Sequence, residues 1–219
     1  MIGFLGSSVG KKYLMGLSAL VWAGFVFAHM AGNMLIFVSP EAYNTYGHNL
    51  TSGNIIYVAE AVLVLALIVH VVLAISLTLE NRKARGQRYA VSPKGEKRSA
   101  FASVTMGIQG SIILVFIILH LATFKYGTYY ETTAHGVVVR DLFRLMSEVF
   151  HQPGYVAWYV IAVIILGFHL SHGVKSVFQS VGLWNTSYKP MIKTAAVIYA
   201  VVVAAGFLSQ PIYVFLFAK

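Results

Sequence analysis

Five apolar runs, each long enough to cross a bilayer, leave this chain few ways to fold. A hydrocarbon core about 30 Å thick takes about 20 apolar residues of helix, at about 1.5 Å of rise per residue. No water satisfies backbone N–H and C=O groups inside that core, so each run must meet them internally as a helix. The runs lie at about residues 13–38, 55–79, 100–124, 155–181 and 192–217. The expected fold is an all-α integral membrane protein with five transmembrane helices, in a single membrane domain over residues 1–219. With 58% hydrophobic and 11% charged residues, the chain lacks the polar surface that a soluble domain of this length needs.

The first run superficially resembles a secretory leader. Its apolar part far exceeds the roughly 7–15 residues of a leader's core, so it reads as a retained span. The net charge of +9 at first suggests nucleic acid. The cations instead sit between the runs. Seven of them (Arg82, Lys83, Arg85, Arg88, Lys94, Lys97 and Arg98) crowd the loop over 80–98. Cations in that position set membrane topology, which argues against a nucleic-acid partner. With the N-terminus inside, twelve of the 16 Lys and Arg fall on the inner side, and only Lys125, Arg140, Arg144 and Lys219 fall outside. The C-terminus is then outside.

Residues 39–54 read as a short loop. In the outer connection over 125–154, Val138, Leu142, Leu145, Met146 and Val149 recur at helical spacing, with Arg140, Asp141, Arg144 and Glu148 between them. That pattern predicts an amphipathic helix at the membrane surface or across the mouth of the bundle. Pro211 is expected to kink or end the last span.

The first four spans each carry a histidine at membrane depth: His29, His70, His120 and His169. An ionisable side chain there is costly and marks a site with a partner. Counting residues from the nearest basic boundary, His29 and His120 belong to the outer half, and His70 and His169 to the inner half. The two levels differ by about 10–15 Å at the helical rise. One pair at each of two depths, drawn from facing helices, is what two stacked bis-histidine haems require. Glycines at 16, 24, 32, 107, 110, 167 and 173 leave room for a ring or a neighbouring backbone. The chain has no cysteine, which excludes thiolate-held iron–sulfur clusters and cysteine-attached haem. A closed zinc site wants ligands converging on one point, not at two levels. His172 lies three residues after His169 on nearly the same face, so spacing alone leaves either as the ligand. His48, His135 and His151 read as loop residues. Glu60, about ten residues outward of His70, is either an interfacial carboxylate or a proton acceptor beside an outer quinol pocket.

These residues resemble the five-helix dihaem cytochrome b subunit that anchors succinate dehydrogenases and fumarate reductases. The likeness is carried by Gly10-Lys11-Lys12-Tyr13-Leu14-Met15, by His29-Met30-Ala31-Gly32-Asn33, by His70, by the run 116–127 around His120, and by Phe168-His169-Leu170-Ser171-His172-Gly173 with Ser176, Phe178 and Gln179. The resemblance implies that the first four spans form a haem-binding bundle. His70 and His169 would hold the iron of the inner haem b, and His29 and His120 that of the outer one. A glycine four positions after the span-4 ligand is part of the family pattern, and Gly173 selects His169 over His172 on that ground. Some relatives place a glutamate two residues before this ligand for transmembrane proton transfer; here that residue is Gly167, so the route does not carry over. The resemblance also implies a flavoprotein and an iron–sulfur subunit on the inner face, and a membrane quinone, typically menaquinone, as electron partner. The implied setting is a bacterial-type inner (cytoplasmic) membrane. The competing functions are a dihaem anchor for a formate dehydrogenase or hydrogenase, and a haem-free histidine-dependent transporter or proton relay.

Overall fold

The computed structural model describes residues 3, 6–85 and 105–218. About 82% of the described residues are helical, and five helices among them are long and apolar enough to span a membrane. They are α1 (Ser8–Asn33), α3 (Ile55–Arg85), α4 (Met106–His120), α6 (Pro153–Ser180) and α7 (Lys189–Phe217). Much of the basic loop, and the start expected for the third span at residue 100, lie outside the described residues.

Around the bundle, α6 packs on α7, α1 packs on α3, α6 and α7, and α4 packs on α6. The two diagonals, α1 with α4 and α3 with α6, are not among the main packed pairs, and neither is α3 with α4. The α6–α7 contact is close because small residues line it. A methyl group on Gly167 would stand 3.3 Å from the Ala204 side chain. The buried face of α7 runs through Ala196, Ala200, Val203, Gly206, Gln210 and Val214 at helical spacing. Gly206 lies so close to the Met30 side chain of α1 that no Cβ fits without repacking. Pro211 does not end this helix, which continues through it to Phe217 with Pro211 buried. In the membrane, a neighbouring helix tolerates the missing N–H donor.

One end of the bundle carries a folded cap, and here the sequence reading needs correction. Residues 39–54 are not a plain loop. They contain α2 (Pro40–Thr51), started by Ser39, whose Oγ accepts from the Ala42 N–H at 3.0 Å, with Pro40 in the first turn. The helical pattern assumed from Val138 is also too long. Val138 and Arg140 belong to β2 (Val137–Arg140), paired antiparallel with β1 (Glu131–Ala134). The two-residue turn, His135-Gly136, has positive φ at both positions, 48° and 77°. That geometry matches the twist of the strands, and glycine adopts it freely. The amphipathic helix is the shorter α5 (Leu142–Phe150), which buries Leu145, Met146, Val149 and Phe150 against the bundle. Asp141 caps it, accepting from the Arg144 N–H at 3.0 Å.

Buried Asn44 ties the cap together. Its amide donates to Asp141 at 2.8 Å, and its carbonyl oxygen accepts from the Phe143 N–H at 2.9 Å. At the opposite end, Lys11 of α1 pairs with Glu80 of α3 and lies 3.2 Å from the Ser76 hydroxyl.

Candidate functional site

The four histidines project into the unpacked diagonals. His29 of α1 faces His120 at the end of α4, with ring centroids 5.9 Å apart and planes nearly perpendicular, at 87°. His70 of α3 faces His169 of α6 at 6.3 Å and 65°. Ser18, which touches His70, precedes His29 by eleven residues on α1, about 16 Å at the helical rise. The two pairs therefore occupy separate levels, one under the cap and one toward the basic end.

These separations can be tested against a planar metal cofactor. Two imidazoles binding one metal from opposite sides, each nitrogen about 2 Å away, place their ring centroids about 6 Å apart. Both pairs match that value. Beside the second pair, a Cβ on Gly110 would stand 3.7 Å from the His169 ring, so only a small residue fits there. The Nδ1 atoms of His169 and His172 are buried without a hydrogen-bond partner among the described residues. Nor do three or more His, Asp or Glu side chains converge as a closed metal cluster among those residues.

The other three imidazoles have polar neighbours. His120 Nδ1 lies 3.1 Å from the Tyr159 hydroxyl. His70 Nδ1 lies 3.4 Å from the Ser18 hydroxyl, which itself donates to the Met15 carbonyl. Asn33 places its amide nitrogen 3.4 Å from His29 Nε2 and 2.7 Å from the His29 carbonyl. The Tyr43 hydroxyl of α2 in turn donates to Asn33 at 2.8 Å, and burial pushes that phenol up to about 12. The cap thus reaches the first histidine through two side chains. Sequence reading missed Tyr159 and Ser18, since each takes its role from a neighbour that linear spacing does not assign, whereas Asn33 stands one helical turn after His29 and its contact is readable from that spacing.

Gly167 lies on the α6–α7 contact, where the Ala204 side chain and the Ala200 carbonyl leave no space for a long acid. Glu60 forms an ion pair with Lys125, joining α3 to the segment after α4, and both side chains are partly exposed. His135 sits in the hairpin turn against Glu41, and His151 ends α5. His48 lies in the last turn of α2.

After His120 the helix widens into a π turn, Leu121–Lys125, closed by Tyr126 N–H to the Leu121 carbonyl at 3.0 Å. Such turns recur at functional sites. Beside it is a cavity of about 400 Å³ lined by residues including Leu119, Ala122, Thr123, Thr128, Leu145 and Tyr155. No family model, curated protein or solved structure matches the chain.

Proposed function

We propose that the chain is a dihaem cytochrome b membrane subunit of a succinate dehydrogenase or fumarate reductase, passing electrons across the bilayer between an iron–sulfur partner and a quinone pool. The observation that carries this reading is the pair of facing imidazole sets, at 5.9 and 6.3 Å, on two diagonals that the helices leave unpacked. His70 and His169 hold one haem b, and His29 and His120 the other. Bound haem supplies a one-electron iron couple at each level.

The protein's own part is to hold, orient and insulate. Ser18 and Tyr159 accept from the outward ring nitrogens of His70 and His120, leaving Nε2 of each for the metal. The cap closes the outer end and keeps bulk water from His29 and His120. Arg82 and Lys83, with the rest of the basic loop, favour docking of the flavoprotein and iron–sulfur subunits on the inner face. The cavity beside the π turn falls within the usual range for a small-molecule pocket and mixes apolar walls with three hydroxyls. It suits a quinone headgroup, menaquinone by the family likeness. Glu60, partnered by Lys125, is the carboxylate candidate for the quinol proton.

The test is a reduced-minus-oxidised spectrum of the complex purified in mild detergent. Two b-type haems per chain, with a flavoprotein and an iron–sulfur subunit in the preparation, are expected. A folded chain with no b-type band would leave the haem-free histidine relay. Hydrogenase or formate dehydrogenase subunits in place of the flavoprotein would reassign the anchor.

A further inference from the structure

We propose that Tyr159 sets the redox potential of the haem under the cap, acting through His120 as a positioning residue. This rests on the dihaem reading above. Tyr159 is only 7% exposed, on α6, a helix that supplies neither histidine of this pair. Its ring is boxed by Phe116 at 4.9 Å, Phe150 at 5.0 Å and Phe124 at 6.1 Å, in near-perpendicular contacts of 75°, 77° and 86°. Three aromatic walls from α4, the π turn and α5 fix where the phenol oxygen stands. That oxygen is 3.1 Å from His120 Nδ1, and the hydroxyl makes no other hydrogen bond among the described residues.

With Nε2 on the metal, the neutral imidazole carries its proton on Nδ1, and the phenol oxygen is its acceptor. An acceptor there draws the ring toward imidazolate and makes it a stronger donor to iron. The ferric state, carrying one more positive charge, gains more from that donation than the ferrous state. The hydrogen bond therefore lowers the potential of this haem. The low dielectric of a buried aromatic box strengthens the effect. At the other level His70 has a longer contact, 3.4 Å to the Ser18 hydroxyl, and His169 Nδ1 has no partner among the described residues. The same device is thus built tightly at one level and loosely at the other.

Tyr159→Phe removes the acceptor and leaves the aromatic box. The haem under the cap is identified as the one lost in His120→Ala. In Tyr159→Phe both haems should remain, and the midpoint of this one should rise. Its reduced-to-oxidised ratio at a fixed poise should increase about fivefold. A tenfold change in that ratio corresponds to about 59 mV for one electron. Its low-spin electron paramagnetic resonance signal should shift too, while the other haem keeps both its potential and its signal. Ser18→Ala should move only the other haem, and by less. Two haems with neither potential changed in Tyr159→Phe would overturn the assignment, as would equal shifts at both. Loss of the haem in Tyr159→Phe would make the hydroxyl a structural group and overturn it as well. A wild-type protein without haem would instead sink the dihaem reading itself.

Discussion

Gly110 and Gly206 mark how closely single side chains bound the two histidine pairs. Gly110 faces the edge of the His169 ring, with 3.7 Å between its missing Cβ and that ring. Alanine fits there; leucine does not. On the proposed dihaem reading, Gly110→Leu should displace His169 and remove the haem at that level, leaving the signal of the His29–His120 level in place, as read by haem spectra. Gly206 has no such margin, because a Cβ there falls on the Met30 side chain. Gly206→Ala should cost about 1–2 kcal/mol through repacking of Met30, seen as a lower unfolding temperature in detergent. At this scale the sequence is legible where one period governs it. Counting the helical rise from the basic boundaries groups the four histidines into the same two pairs whose rings lie together in the structure. The contacts of Tyr159 with His120 and of Ser18 with His70 follow from how helices rotate against one another, which no linear spacing encodes.

The cap shows what is lost when a sequence is read only for membrane spans. Ser39-Pro40-Glu41 carries a helix-starting signal, with a capping hydroxyl, a proline in the first turn and an acid at the positive end of the helix dipole. In the hairpin, a His-Gly turn is flanked by the β-branched Thr132, Thr133 and Val137, Val138, Val139. Extending the helical period of α5 backward to Val138 hid that signal, since two valines at any spacing fit some face of a helix. Two predictions belong to this element. Asn44, at 3% exposure, bridges α2 to the start of α5. Asn44→Ala leaves the Phe143 N–H without its acceptor and takes one of two donors from Asp141 Oδ1, which keeps the Arg144 N–H, and should destabilise the cap by about 2 kcal/mol. Hydrogen exchange of α2, the hairpin and α5 should accelerate while the spans are unchanged. The second concerns acid. Glu148 accepts from the Tyr130 hydroxyl at 2.7 Å and from Arg144 at 2.9 Å, which hold its carboxyl below the ordinary value of 4.5. A depressed carboxylate stabilises the fold above its unfolded pKa, and the contribution is lost as pH falls through the lower folded one. The cap should therefore loosen as pH falls below that ordinary value, and Glu148→Gln should flatten that dependence in the same exchange measurement.

For the molecule as a whole, hydrophobic length alone locates five spans, because a bilayer accepts little else. It says less about where they stop. The second spanning helix, α3, runs to Arg85, six residues past the apolar run, and the last begins at Lys189, ahead of its own. At this scale the histidine substitutions should separate by level. If the chain holds two haems as proposed, His29→Ala or His120→Ala should remove one haem and spare the other, and His70→Ala or His169→Ala should do the reverse. Loss of both haems from either pair, in a protein still folded in the membrane, would break the pairing. The unpacked diagonals also bear on how much of this protein a cell can keep. Across the two histidine pairs the helices make few direct contacts, so a group seated there adds cohesion that the bare chain lacks. A group that binds the folded bundle and not the unfolded chain raises stability by mass action. If haem is that group, as proposed, chains made faster than haem is supplied should be recognised as defective and degraded. Starving cells of haem should then lower the amount of this protein in the membrane while its message persists, so that cofactor supply sets its abundance.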